Sequence, residues 1–287
     1  MSATDPMHLS EAELRSMTAD LDGLHHDIAL PALKASLAEW SDDIQTQAAV
    51  VRDQEPASRD FASRRRFLAV AGGVAGAGLL AACSSSSSSS SSSAGSSASA
   101  SGSPMASASG GGMADGTGQA LSGDLQVVAM AASLENSGIA TYMAGIKAAT
   151  AGKLGTVPPA VVTFATTAMS QHQDHQKAWN AVLTAARKKP VTAVDPVVQP
   201  TINTAFAKVT TVAGLAELAL MVEDIAGQTY QNGLSVIKSS AGIKTAASIQ
   251  PVEFQHAAIL SYVLGRYPVP NAFTGVSLAR PPSDYKV

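Results

Sequence analysis

The sequence predicts an all-α chain, a four-helix bundle that follows a signal segment and a disordered, serine-rich tether. Three observations carry that reading. From Asp124 onward, four long segments repeat their apolar residues at helical spacing, with Gly or Pro between them. Aromatic residues make up only 5% of the 287 while alanine is abundant, which suits close-packed helices better than a β-sandwich. The segments also carry ionisable residues inside their apolar seams, where a plain bundle has none.

Bulk properties bound the rest. A formal charge of -3 with 14% charged residues gives no sign of a nucleic-acid partner. Residues 1–63 carry 12 Asp/Glu against 4 Lys/Arg, whereas residues 84–287 carry 10 against 12, so the chain reads as separate pieces. Cys83 is the one cysteine, which excludes an intrachain disulfide.

In chain order, residues 1–62 come first, an acidic extension with helix-like periodicity from Leu9 to Arg52 and a break at Pro31. Its His25-His26 pair reads better as solvated than as a ligand. The segment is expected to stay in the cytoplasm or to leave with the signal, and a mis-assigned start codon is the alternative. Residues 63–83 then run Ser-Arg-Arg-Arg-Phe-Leu, an apolar stretch of about 15 residues, and Leu-Ala-Ala-Cys; that stretch is shorter than the roughly 20 a membrane span needs. The pattern around Arg64 and Arg65 resembles a twin-arginine export signal. The box ending at Cys83 resembles a lipoprotein box whose cysteine is acylated and becomes the mature N-terminus. A retained anchor with an incidental cysteine is the competing reading. Acylation would hold the exported protein on the outer face of the cytoplasmic membrane, with the twin-arginine machinery as a transit partner. Residues 84–123 open with ten serines, Ser84 to Ser93, and continue in Ser, Ala, Gly and Met, a composition too polar and small to offset chain entropy.

The bundle is expected over residues 124–265. Its first helix spans about Asp124 to Ala149 and stops at Gly152-Lys153-Leu154-Gly155. The second starts at Pro158-Pro159 and reaches Lys189, with Arg187, Lys188 and Lys189 on its dipole end. The third covers about Pro200 to Lys238. The fourth covers about Lys244 to Leu264, capped by Gly265, with Pro251 kinking it or marking a late start. Residues 266–287 form a tail. On the second helix Phe164, Ala168, His172, His175, Trp179 and Val182 make one seam; on the third Val209, Val212, Ala216, Leu220, Glu223, Gly227, Tyr230 and Leu234 do.

Polar residues on these seams form a repeat. Glu135 precedes Tyr142 by seven residues, as Glu223 precedes Tyr230, in similar contexts. The second helix carries His172-Gln-Asp-His175 and the fourth Glu253-Phe-Gln-His256, and an i,i+3 pair shares one helix face about 5 Å apart. His172, His175 and His256 are the domain's three histidines, and all fall in these pairs. Buried charges need partners or a metal, so convergence of these residues on a cation is the expectation.

The arrangement resembles the ferritin-like di-metal carboxylate family, over about Asp124 to Leu264. In that family two helices each give one glutamate and the other two each give a Glu-x-x-His. The resemblance implies metal ligands Glu135, His172, His175, Glu223, Glu253 and His256, with Glu253 bridging. Tyr142 and Tyr230 would hold ligands or the opposing helix. It implies iron, in a di-iron or mononuclear site, or manganese, for Fe(II) oxidation or O₂ or peroxide chemistry in which Glu135, Glu223 and Glu253 would be the catalytic carboxylates of a ferroxidase or oxidoreductase. His172 departs from the pattern by standing where the family has glutamate, which lowers the negative charge, favours asymmetry and also suits zinc. Asp174 does not replace that carboxylate, because it lies roughly 200° around the helix. Glu217 falls one step off the seam, so solvation is expected of it, with support of a ligand as the alternative. Non-catalytic metal binding and a degenerate structural module are the other readings, and a second copy of the chain is a further candidate partner.

Overall fold

The first bundle helix starts at the residue the sequence marks for it. In the computed structural model, which describes residues 10–54, 121, 123–269 and 273–280, Asp124 opens α3 (Asp124–Thr150), which follows two helices of the acidic extension. Gly123 turns the chain in with a φ of 59°, and the Asp124 carboxylate accepts from the backbone N–H groups of Lys238 and Ser239, tying the start of α3 to the start of the last helix.

α4 (Pro159–Ala185) has its proline in the first turn, as expected, but ends four residues before Lys189. Arg187 adopts a left-handed φ of 58° and Lys188 N–H bonds back to the Leu183 carbonyl, a left-handed stop that places the three basic residues past the helix. The expected third helix is two pieces. α5 (Gln199–Phe206) is short, and α6 (Val212–Gly233) starts afresh where Thr211 is extended and its hydroxyl accepts from Gly214 N–H at 3.0 Å. Val209 therefore sits between helices. α7 (Ser240–Val263) starts four residues early, because Ser239 caps it, and carries Pro251 in its interior. The proline and Ala247, whose carbonyl it leaves unbonded, are both exposed, so water can take that carbonyl. Gly265, with φ 71°, ends the helix.

Helices α3 and α4 pack as one pair and α6 and α7 as another, and the pairs meet through α3 and α6. Both expected seams are buried from Ala216 to Tyr230 and from Phe164 to Val182. All described regular structure is helical, so the all-α four-helix architecture holds.

The acidic extension departs from expectation. Within one compact unit, α1 (Glu11–Leu24), a π-helical turn (His25–Ala29) and α2 (Leu30–Gln54) as far as Ala48 lie on the bundle. Leu14, Leu21, Leu33 and Trp40 are buried there, each contributing about 1.5–3 kcal/mol. Trp40 meets Trp179 edge-on at 6.2 Å, over Gly242, where a Cβ would lie 2.8 Å from the indole. Ser36 hydrogen-bonds Thr245 at 2.9 Å, and Lys244 reaches Glu39. The extension is amphipathic, and the bundle's outer face supplies the apolar surface its stripe needs.

The described helices include none long and apolar enough to cross a membrane. Arg64, Arg65, Cys83, the serine run and the last seven residues lie outside the described residues.

Candidate metal centre

Each donor is aimed inward by its place on a seam. Glu135 lies midway along α3, Glu223 midway along α6, His172 and His175 on α4, and Glu253 and His256 on α7. All six are at most 2% exposed. Glu135 Oε2 lies 2.7 Å from His172 Nδ1, and the other nitrogen of that ring is 3.3 Å from Glu223 Oε1. His175 Nδ1 lies 2.9 Å from Glu253 Oε1, and His256 Nδ1 lies 3.3 Å from Glu223 Oε2. The structure thus brings together all six residues singled out from the sequence. Their donor atoms form two overlapping groups, Glu135, His172, His175 and Glu253, and then His172, Glu223, Glu253 and His256, with the atoms of each within 4.8 Å of one another.

The tyrosines cross between the halves. Tyr142 on α3 donates to Glu223 on α6, and Tyr230 on α6 donates to Glu135 on α3. Trp179 Nε1–H in turn donates to the Tyr230 oxygen at 2.7 Å. Asp174 faces away, partly exposed, and pairs with Lys177. Exposed Glu217 pairs with Arg266, away from the cluster.

Two residues that sequence reasoning passed over complete the site. Gln171 Oε1 takes the far nitrogen of His256 at 2.7 Å; its signal was a buried amide four residues before His175 on the same face. Gly138 makes room for His172: a Cβ there would lie 3.0 Å from three atoms of the ring. A glycine three residues after Glu135, facing the odd histidine, was the available sign.

Electrostatics separate the groups. Burial alone would raise Glu135, yet the hydrogen-bonded His172 and the nearby His175 imidazole hold it at about 2. Burial likewise opposes charge on Glu223, but His256 and His172 keep its carboxyl well below the usual range. Burial pushes Glu253 up, and the charges of Glu135 and Glu223 add to that rise against the pull of His172. Burial disfavours charge on the rings too; the glutamates outweigh it, raising His175 to about 9 and His172 well above its ordinary value.

A family model described as a ferritin-like domain matches residues 123–266, which is half of the chain. The chain belongs to the ferritin-like domain family. No curated protein and no solved structure matches it.

The residues of this ferritin-like domain fit a metal. Both Glu253 oxygens are buried without a hydrogen-bond partner, and His175 Nδ1, although 2.9 Å from one of them, makes no hydrogen bond there. A buried carboxylate left unbonded is costly, and a cation is the partner that the surrounding oxygen and imidazole donors suit. The cluster is compatible with metal binding in the bundle core.

Proposed function

We propose that this domain binds two divalent cations, iron or else manganese, in positions that share Glu253, and uses them for Fe(II) oxidation or O₂ or peroxide chemistry. The observation that carries the reading is the Glu253 carboxylate, buried, unbonded and common to both donor groups. Glu135 and His175 flank it on one side, Glu223 and His256 on the other. When bound, iron supplies one-electron redox chemistry, with carboxylates favouring the ferric state and imidazoles retaining the ferrous one. The chain's own part is to hold the donors and to keep water out. Tyr142 and Tyr230 fix the two outer glutamates, and the cluster has no side chain more than 2% exposed. An apolar cavity of about 40 Å³, walled by Leu14, Tyr142, Phe164, Ala219 and Leu260, lies one side chain away, and a small apolar gas is the kind of molecule it suits.

Loading the purified protein with Fe(II) or Mn(II) and counting bound metal tests the reading. Glu253→Ala is expected to lose the metal, and retention at the wild-type stoichiometry would remove the site.

His172 supports a second reading, binding without turnover. A neutral imidazole donates one nitrogen at a time, so where the family has a second bridging carboxylate this chain serves only one cation. An oxygen electrode separates the two: metal-loaded protein that consumes no O₂ or peroxide is a sequestering module, with zinc among its candidate ions.

We place the domain at the cell envelope, exported by the twin-arginine route and anchored through a lipid on Cys83, on the strength of the motifs at residues 63–83. Fatty-acid labelling that survives Cys83→Ser would count against the anchor.

A further inference from the structure

The acidic extension places a fourth imidazole against the cluster. His25 sits at the start of the π-helical turn between α1 and α2, a distortion that re-aims a side chain, and is 2% exposed. Its Nε2 lies 3.4 Å from Asp174 Oδ2, and its ring centre is 5.7 Å from that of His175, tilted by 60°, which makes the two rings neighbours. Its Nδ1 is buried and without a partner.

The other histidines show what is missing. His256 has its far nitrogen on Gln171, and His172 has both nitrogens on glutamates. His175 turns Nδ1 toward Glu253 and Glu135. A ligating imidazole whose second nitrogen is held by a partner is fixed in tautomer and orientation.

We propose that His25 is a positioning residue of the metal centre, completing a chain Asp174–His25–His175 that sets the His175 tautomer. Asp174 accepts from His25 Nε2–H, which makes His25 Nδ1 an acceptor. A small turn of the neighbouring rings lets His175 donate Nε2–H to that unpartnered nitrogen and present the lone pair of its Nδ1 to a cation. The inference rests on the metal-centre reading and extends it to a residue outside the ferritin-like match. Cleavage before Cys83 would take His25 away with residues 1–82, so precursor and processed chain would hold metal with different strength.

The full-length chain tests this with Co(II) as the probe, its affinity read by chelator competition and its geometry by the visible absorption bands. His25→Phe keeps an aromatic ring without nitrogens and is expected to weaken Co(II) about 10–100-fold and to shift the bands. His25→Gln offers an acceptor and a donor and is expected to stay within about threefold of wild type. Wild-type affinity and spectrum in His25→Phe, or equal losses in both variants, overturn the proposal while the metal centre stands. A wild-type chain that binds neither Co(II) nor Fe(II) overturns both. In the metal-free protein, ¹⁵N imidazole shifts should show His25 protonated on Nε2; protonation on Nδ1 sinks the chain without reference to any metal.

Discussion

The two halves of the bundle carry the same plan with one exchanged ligand. The α3–α4 half gives one carboxylate and two imidazoles, Glu135, His172 and His175; the α6–α7 half gives two carboxylates and one imidazole, Glu223, Glu253 and His256. Each half sends its tyrosine across to the other's glutamate. The exchange is possible because Gly138 leaves space for a ring. A repeat can therefore keep its frame while its chemistry becomes lopsided, with His172 and Glu253 as the unlike occupants of matching positions.

The halves are also braced differently. Buried Asp195 accepts from Ser133 and donates its N–H to Ser137, either side of Glu135, and pairs with Arg280 of the tail. Replacing Arg280 with Met should cost about 3–5 kcal/mol in chemical denaturation, since the carboxylate stays buried without its cation. Arg266→Ala, which removes an exposed pair with Glu217, should cost under about 1 kcal/mol, and equal losses would show that the tail does not single out the first half.

The crossed tyrosines offer a finer comparison. Tyr142→Phe removes one hydrogen bond to a charged group and should cost about 1.5–3 kcal/mol. Tyr230→Phe also strands Trp179 Nε1–H, so it should cost about 1 kcal/mol more. Matching denaturation midpoints for the two variants would mean that Trp179 finds another acceptor.

Protons probe the halves before any metal does. His175 is raised from 6.5 to about 9, so its stabilisation of the metal-free protein is complete below about pH 6.5 and is lost as pH climbs through about 9. Glu135 is lowered from 4.5 to about 2, so its share is present above about pH 4.5 and is lost as pH falls toward 2. Urea midpoints of metal-free protein should fall on both flanks. Metal binding displaces the imidazole protons, so affinity should rise with pH over the upper range. A flat affinity between pH 6.5 and 9 would mean the rings are already neutral.

The gentlest intervention restores the symmetry. His172→Glu should raise the affinity for the second metal equivalent about tenfold, roughly 1.4 kcal/mol, in a titration followed by bound-metal analysis. No change would show that asymmetry is not set at this position.

Much of this was legible along the chain. The inward residues of a helix repeat at a fixed interval, so the seams, the i,i+3 pairs and the matched Glu-to-Tyr spacings could be read from residue numbers alone. Helix ends were less legible. Arg187 accepts a left-handed conformation usually left to glycine, and Pro251 stays inside α7 because its ring faces water. The split before α6 turned on a threonine cap, Thr211, lying between the seam residues Val209 and Val212.

Sequence by itself determined the helices, the inward faces and the six donors, because those follow from periodicity within single segments. Only the tertiary structure decided which distant surfaces meet. It laid an acidic extension, read as a separate piece, along the bundle, joined His25 to Asp174 across 149 positions, and paired Arg280 with Asp195 across 85. Such pairings depend on how amphipathic faces cover one another in space, and no local spacing encodes that.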